Sequence, residues 1–160
     1  MFNTEYVPGE NLGIKNALWD KKQGYFSPRA CYNSYFFRPD DETLSLIDKM
    51  VLHGDEVVRY LDGGSACHLN LEEHLTREQY KKLLDIAAKI GCSYFTFNVP
   101  NTICDDCGHI SKHYMKKCPK CGSENVDWIT RIIGYAKRIS KWSDPRKVEG
   151  ASRYYDSKAE

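Results

Sequence analysis

No run of about 18 apolar residues occurs in this chain, which excludes a membrane-spanning helix among its segments. The N-terminal stretch MFNTEYVPGENLG has neither a basic start nor an apolar core, so no secretory signal is expected. Internal repeats and low-complexity segments are missing. Net charge is nearly absent, with 23 Lys and Arg against 22 Asp and Glu. An even set of cysteines is missing too. Seven are present, four in two tight pairs and three scattered at Cys31, Cys67 and Cys92. That pattern argues against a disulfide framework and for a reducing, cytoplasmic setting with a metal site.

What is there suffices for a core. The 160 residues are 41% hydrophobic and 28% charged, as in a soluble globular protein of one domain, or of one domain with a small metal module. The charge is unevenly spread. Residues 111–160 carry 12 Lys and Arg against 6 Asp and Glu, whereas residues 1–110 carry 11 against 16. A basic final third faces phosphates, docks on an acidic surface of the same assembly, or is simply solvated.

Residues 1–40 read as irregular but dense in aromatics (Tyr25, Phe26, Tyr32, Tyr35, Phe36, Phe37), so the segment is expected to pack against something. Residues 41–61 read as helical, capped by Asp40 or Asp41, with a break available at His53-Gly54. ACHLNL at 66–71 alternates like a strand with Cys67, Leu69 and Leu71 on one face. Thr76 to Gln79 fits a capping box, the helix after it carries Tyr80, Leu83, Leu84, Ala87 and Ile90, and Gly91 suits its end. YFTFNV at 94–99 alternates again. Helix, strand, helix, strand over 41–99 implies part of a parallel or mixed sheet.

The strongest local signal is CDDCGHISKHYMKKCPKCG. Cys104 and Cys107 form one C-x-x-C, Cys118 and Cys121 another, and each is followed by a glycine (Gly108, Gly122) that frees backbone amides to turn toward sulfur. Two such knuckles make a tetrahedral four-sulfur site, the geometry of structural zinc. Rubredoxin-like iron is the chemical rival, and a redox-active C-x-x-C a weaker one. His109 and His113 are surplus as ligands. His68, with Asn70, Glu72 and Glu73 nearby, either lines a site or ends a strand.

Gly134 stands in TRIIGYAKRISKW, between bulky residues, where a glycine costs entropy and brings no packing. One reading is a turn or bulge with φ > 0. The other is that the glycine is itself the reagent: loss of its Cα hydrogen leaves an unhindered planar radical shared between amide nitrogen and carbonyl.

The ordered combination resembles a known family. NVPNTICDDCGHISKHY, CPKCG and TRIIGYAKRIS resemble the C-terminal end of anaerobic (class III) ribonucleoside-triphosphate reductases, and WDKKQGYFSPRACYNSYFF and LDGGSACHLNLEEHLTREQYKKLL resemble the segments preceding that end. The resemblance implies an α/β fold: the C-terminal portion of a ten-stranded barrel of the glycyl radical enzyme type (1–99, with the helix-strand-helix-strand unit at 41–99), then a four-cysteine zinc-ribbon module (100–126), then the radical loop and basic tail (127–160). It implies that Gly134, within Arg131-Ile132-Ile133-Gly134-Tyr135, carries the radical and that Cys104, Cys107, Cys118 and Cys121 hold Zn²⁺. It also implies a separate activating enzyme using S-adenosylmethionine and an iron–sulfur cluster, a ribonucleoside triphosphate substrate, and formate as reductant in one branch of the family. The thiyl-forming cysteine is expected on a partner chain carrying the rest of the barrel, since Cys31, Cys67 and Cys92 match no motif for it. This chain alone is therefore not expected to complete a turnover. It reads as a split-gene product, a spare C-terminus or a piece of a longer protein. No membrane partner is expected.

A reading from another class is a zinc-ribbon module that binds nucleic acid or protein, using the basic residues and the aromatics Tyr114, Trp128 and Trp142. It gives no reason for RIIGY.

Overall fold

Thr76 caps the longest helix as its sequence predicts. Its hydroxyl accepts from the Gln79 amide while the Gln79 side chain accepts from the Thr76 amide, and Gly91 closes the helix in the left-handed conformation. The computed structural model describes residues 5–6, 10–25, 30–32, 35–132 and 134–157; Phe26 and Ile133 of the sequence analysis lie outside them.

In chain order these residues form β1 (Glu5–Tyr6), α1 (Glu10–Lys22), α2 (Leu46–Val51), α3 (Asp55–Val58), β2 (Gly64–Ser65), β3 (Cys67–Asn70), α4 (Arg77–Ile90), β4 (Phe95–Asn98), β5 (Asn101–Cys104), β6 (Ile110–Ser111), β7 (Val126–Arg131), β8 (Ala136–Arg138), a 3-10 turn (Ile139–Lys141) and α5 (Asp144–Ser152). Strands β3 and β4 pair in parallel from Cys67 opposite Phe95 to Asn70 opposite Asn98, with α4 as the crossover between them. The core lies here. Leu46 and Met50 of α2, Leu83 and Ala87 of α4, and Cys67, Leu69, Leu71, Cys92 and Val99 form one buried cluster. Burial of each aliphatic side chain of this kind contributes about 1.5–3 kcal/mol. All four residues of β3 are buried, so it has no solvent face despite its alternating pattern.

Two expectations need correcting. Residues 10–22, expected to be irregular, form α1. Its apolar residues do not gather on one stripe: Leu12, Leu18 and Trp19 are 57–61% exposed, and only Ala17 is buried. The helix expected over 41–61 starts later, at Leu46, and breaks where His53-Gly54 was expected to allow it. Ser45, not Asp40 or Asp41, is the cap, because Asp48 three residues on completes a reciprocal capping box. The chain turns at Leu52–Gly54, and α3 follows as a separate short helix.

The second layer is an antiparallel sheet in the order β6-β5-β7-β8, drawn from residues between 101 and 138. The tail after it is folded back rather than loose. The Asp156 amide donates to the Asn70 carbonyl at 3.0 Å, Leu71 bridges Asp156, and buried Lys49 reaches the Asp156 carboxylate at 2.6 Å.

Candidate metal centre and glycine hairpin

The first knuckle follows β5 and the second precedes β7, so the central strand pair of the sheet brings the two together. Gly108 and Gly122 have φ of +70° and +75°, and their amides close the knuckles onto the carbonyls of Cys104 and Cys118 at 3.0 and 2.9 Å. Only glycine takes this turn without strain. The four sulfurs of Cys104, Cys107, Cys118 and Cys121 lie within 4.8 Å of one another, with Cys104–Cys121 and Cys107–Cys118 each at 3.6 Å. A tetrahedral zinc with bonds of about 2.3 Å needs sulfur–sulfur edges of about 3.8 Å, so the donor set fits such an ion.

Burial opposes ionisation of Cys118, but the amides of Cys121 and Lys120 and the neighbouring thiols donate to its sulfur and bring its pKa down to about 7. Asp106 of the first knuckle accepts from Ser123 and, at 2.7 Å, from Asn125, which ties the knuckles together. The rings of His109 and His113 are not part of the cluster; what they lend is backbone, the carbonyl of His109 to Cys104 and that of His113 to Thr102.

Strands β7 and β8 form a hairpin whose last ladder pair is Arg131 and Ala136. The Ile132 amide donates to the Tyr135 carbonyl at 3.2 Å, and Gly134 sits at the tip. A Cβ added there would meet nothing within 4 Å outside its chain neighbours. Among the described residues, space does not require a glycine there. The Arg131 guanidinium donates to the Gly134 carbonyl at 2.6 Å, and Tyr135 is exposed beside it. Arg138 of β8 pairs with Asp105 of the first knuckle at 2.5 Å, so the hairpin and the cysteine centre are braced against each other.

The root of the hairpin is buried in polar contacts that sequence reasoning missed. The Asn98 side-chain oxygen accepts from the Thr130 hydroxyl and the Arg131 amide, both at 2.8 Å, while its NH₂ donates to Asn70 at 2.8 Å. Tyr35 donates to the same Asn70 oxygen at 3.0 Å, and burial pushes its phenol up to about 12. Arg153, at the end of α5, donates to the carbonyls of Arg131 and Ile132 at 2.6 and 2.7 Å. Below the hairpin, Ile132 and Trp142 pack with Ile139, and Gly150 of α5 lies so close to Trp142 that a Cβ would sit 2.5 Å from its ring. No local periodicity signals these hydrogen bonds, which join positions 21 to 35 residues apart.

His68 is buried at this joint, edge-on to Tyr35, rather than open on a site. Burial, then the charges of Arg131 and Arg153, holds its pKa down to about 4; burial, then His68, does the same to His53. Cys31, Cys67 and Cys92 are buried away from the four-sulfur cluster. The solvated or phosphate-facing reading of the basic tail fails for Arg146 and Arg153, which are buried and paired with Glu149. Trp142 is buried too, and Tyr114 and Trp128 stack on each other at 4.8 Å.

Fold and site together define a mixed α/β unit that couples a four-cysteine centre to a glycine-tipped hairpin. The family described as anaerobic ribonucleoside-triphosphate reductase matches residues 1–155, and this chain belongs to that family. Among solved structures, an anaerobic ribonucleotide reductase is similar at 28% identity and a TM-score of 0.84, over 99% of this chain and 25% of its own. The anaerobic ribonucleotide reductase from Thermotoga maritima in complex with dATP and CTP is similar at 29% identity and a TM-score of 0.76, over 93% of this chain and 24% of its own. The same figures hold for the Thermotoga maritima enzyme with glycerol in the active site. The chain thus spans about a quarter of the length of the solved chains it matches. No curated protein matches its sequence. Among the described residues, no helix is long and apolar enough to cross a membrane.

Proposed function

We propose that this chain is the glycyl-radical-bearing C-terminal part of an anaerobic ribonucleoside-triphosphate reductase, and that Gly134 is the radical residue. The observation that carries the reading is the tip of the β7–β8 hairpin. Open space around Gly134 gives no packing reason for a glycine there, yet it stands in Arg-Ile-Ile-Gly-Tyr at an exposed hairpin tip in a member of this family. An exposed tip suits a loop that must enter a cavity in another part of the enzyme.

On this reading residues 1–99 complete part of a ten-stranded α/β barrel, 100–126 form the zinc module and 127–160 carry the radical loop. Cys104, Cys107, Cys118 and Cys121 hold zinc as a structural ion that fixes the base of the hairpin. The Cα–H bond of Gly134 is the one that breaks, the hydrogen atom leaving to an S-adenosylmethionine-dependent activating enzyme. Arg131, donating to the Gly134 carbonyl, draws electron density toward that oxygen and favours the delocalised product. Reduction of the ribonucleotide takes place with the rest of the reductase, which supplies the thiyl cysteine and the substrate site. A reducing cytoplasm suits the exposed thiols.

Nucleic-acid binding finds less support, since Trp142 and two of the tail arginines point inward. The test is low-temperature electron paramagnetic resonance after anaerobic treatment with an activating enzyme of this family. A doublet present in the native chain and missing in Gly134→Ala is expected. An equal signal in both removes Gly134 from the chemistry.

A further inference from the structure

The hairpin that presents Gly134 is only a few residues long: its strand pairing ends at Arg131 and Ala136, with one further backbone hydrogen bond from Ile132 to Tyr135. Something beyond the ladder must fix the direction in which the tip points. The guanidinium of Arg153 is placed to do this. One nitrogen donates to the Arg131 carbonyl and the other to the Ile132 carbonyl, which are the two residues leading into the tip. The second nitrogen also donates to the Glu149 carboxylate at 2.9 Å, one helical turn back on α5. The other oxygen of Glu149 accepts from Arg146, which in turn donates to the Tyr32 carbonyl at 3.1 Å. The Arg153 guanidinium carbon lies 5.0 Å from the ring centroids of both Tyr35 and Trp142. All three charged side chains are buried.

We propose that Arg153, oriented by Glu149, is a positioning residue for Gly134. It grips two successive carbonyls of the hairpin root and thereby sets where the tip, and the Arg131 side chain that contacts the Gly134 carbonyl, are held. The proposal rests on the reading of Gly134 as the radical residue only for its consequence in catalysis; the grip itself is a property of the folded chain. A planar fork is needed, because the two carbonyls and the Glu149 carboxylate must be met at fixed angles, and a lysine ammonium is a single point donor. Both terminal nitrogens of the buried guanidinium are paired, and a buried charged group held at three points keeps one conformation where a singly held one would not.

The experiment compares the native 160-residue chain with Arg153→Met, Arg153→Lys and Glu149→Gln, all loaded with zinc. Zinc content and the amide exchange of β3 and β4 report that the fold is kept. Exchange at the Ile132 amide, which donates to Tyr135, reports the hairpin, and the glycyl doublet per zinc-bound chain after activation reports the chemistry. Arg153→Met is expected to speed Ile132 exchange at least tenfold and to lower the doublet at least tenfold, with zinc and β3–β4 protection unchanged. Arg153→Lys should restore neither in full. Should Arg153→Met lose zinc or its β3–β4 protection, Glu149→Gln decides. It leaves Arg153 in place, and a several-fold rise in exchange confined to residues 130–135 is then required. Unchanged Ile132 exchange in a folded Arg153→Met or Glu149→Gln overturns the proposal. If no doublet forms even on the native chain, the radical reading falls, and Ile132 exchange still judges the grip.

Discussion

Replacing Asn98 should weaken the chain more than any surface change, because this one side chain joins three strands. Its oxygen takes the Thr130 hydroxyl and the Arg131 amide of β7, and its NH₂ reaches Asn70 of β3. Asn98, Asn70 and Thr130 are all 2–3% exposed. In Asn98→Ala three partners lose a contact. Asn70 keeps Tyr35, and the Thr130 hydroxyl can rotate, so those two losses are partly made good. The Arg131 amide cannot move without breaking the ladder to Ala136. A buried group left unsatisfied costs about 1–3 kcal/mol. One full and two partial penalties of this size, with some relief from water entering the vacated space, give a loss of about 3 kcal/mol. At a urea slope of about 2 kcal/mol per molar, the unfolding midpoint of the zinc-loaded chain should fall by about 1.5 M.

Asn98→Asp sharpens the test. It keeps the acceptor for Thr130 and Arg131 but turns an oxygen toward the Asn70 oxygen, in a buried setting that disfavours the ionised form. The introduced carboxyl therefore has a folded-state pKa above its unfolded value of about 3.9. Below that value it is protonated in both states and donates to Asn70; as pH rises through the folded pKa the variant loses stability. It should lie close to the native chain in acid and fall behind it toward neutrality. A midpoint shift below about 0.3 M for Asn98→Ala, or an Asn98→Asp deficit independent of pH, would refute the reasoning.

Cys118→Ser should lose zinc and unfold the sheet of residues 101–138, since structural zinc sites carry roughly 10–16 kcal/mol of apparent binding free energy. Hydrogen exchange should show β3 and β4 still protected, and native protection of the hairpin in a zinc-free variant would contradict it. The two buried histidines make stability pH-dependent. Their folded pKa values of about 4 lie below the unfolded value of about 6.5, so between these limits the unfolded chain binds more protons and stability falls as pH falls. The ceiling is about 3.4 kcal/mol per ring, from about 1.36 kcal/mol per pKa unit between about 6.5 and about 4, and partial exposure of both rings keeps the loss below it. Urea midpoints measured from about pH 7 to about pH 4 should show this slope, and the double variant His53→Asn/His68→Asn should lose most of it. An unchanged slope there would assign it to other groups.

Local signals were legible in the sequence. The Thr76–Gln79 box, the Gly91 cap and the paired knuckles are each written within a few residues, and each is found. Helix α1 was not legible, because a helix with Leu12, Leu18 and Trp19 facing outward has no single apolar stripe to detect. The start of α2 was misplaced because Asp40 and Asp41 compete as caps with Ser45, and only the Asp48 partner decides between them. The grip of Asn98 and Arg153 on the hairpin root was invisible for a different reason. It joins positions 21 to 33 residues apart, and polar residues met one at a time read as solvated. The basic tail illustrates this best: its charge was plain, but not that Arg146 and Arg153 spend theirs on Glu149 and on backbone carbonyls.

The most direct measurement of the central claim is mass spectrometry of the activated chain after exposure to air. Oxygen adds to a carbon radical and breaks the backbone where the spin sits. If Gly134 carries it, the chain should part into a fragment ending at or next to Ile133 and a peptide of about the last 26 residues, the single cut expected of a radical localised by the fold. Unactivated protein and activated Gly134→Ala should stay whole in the same air. An intact native chain after proven activation, or cuts scattered along it, would contradict the account and leave Gly134 as the tip of a hairpin and nothing more.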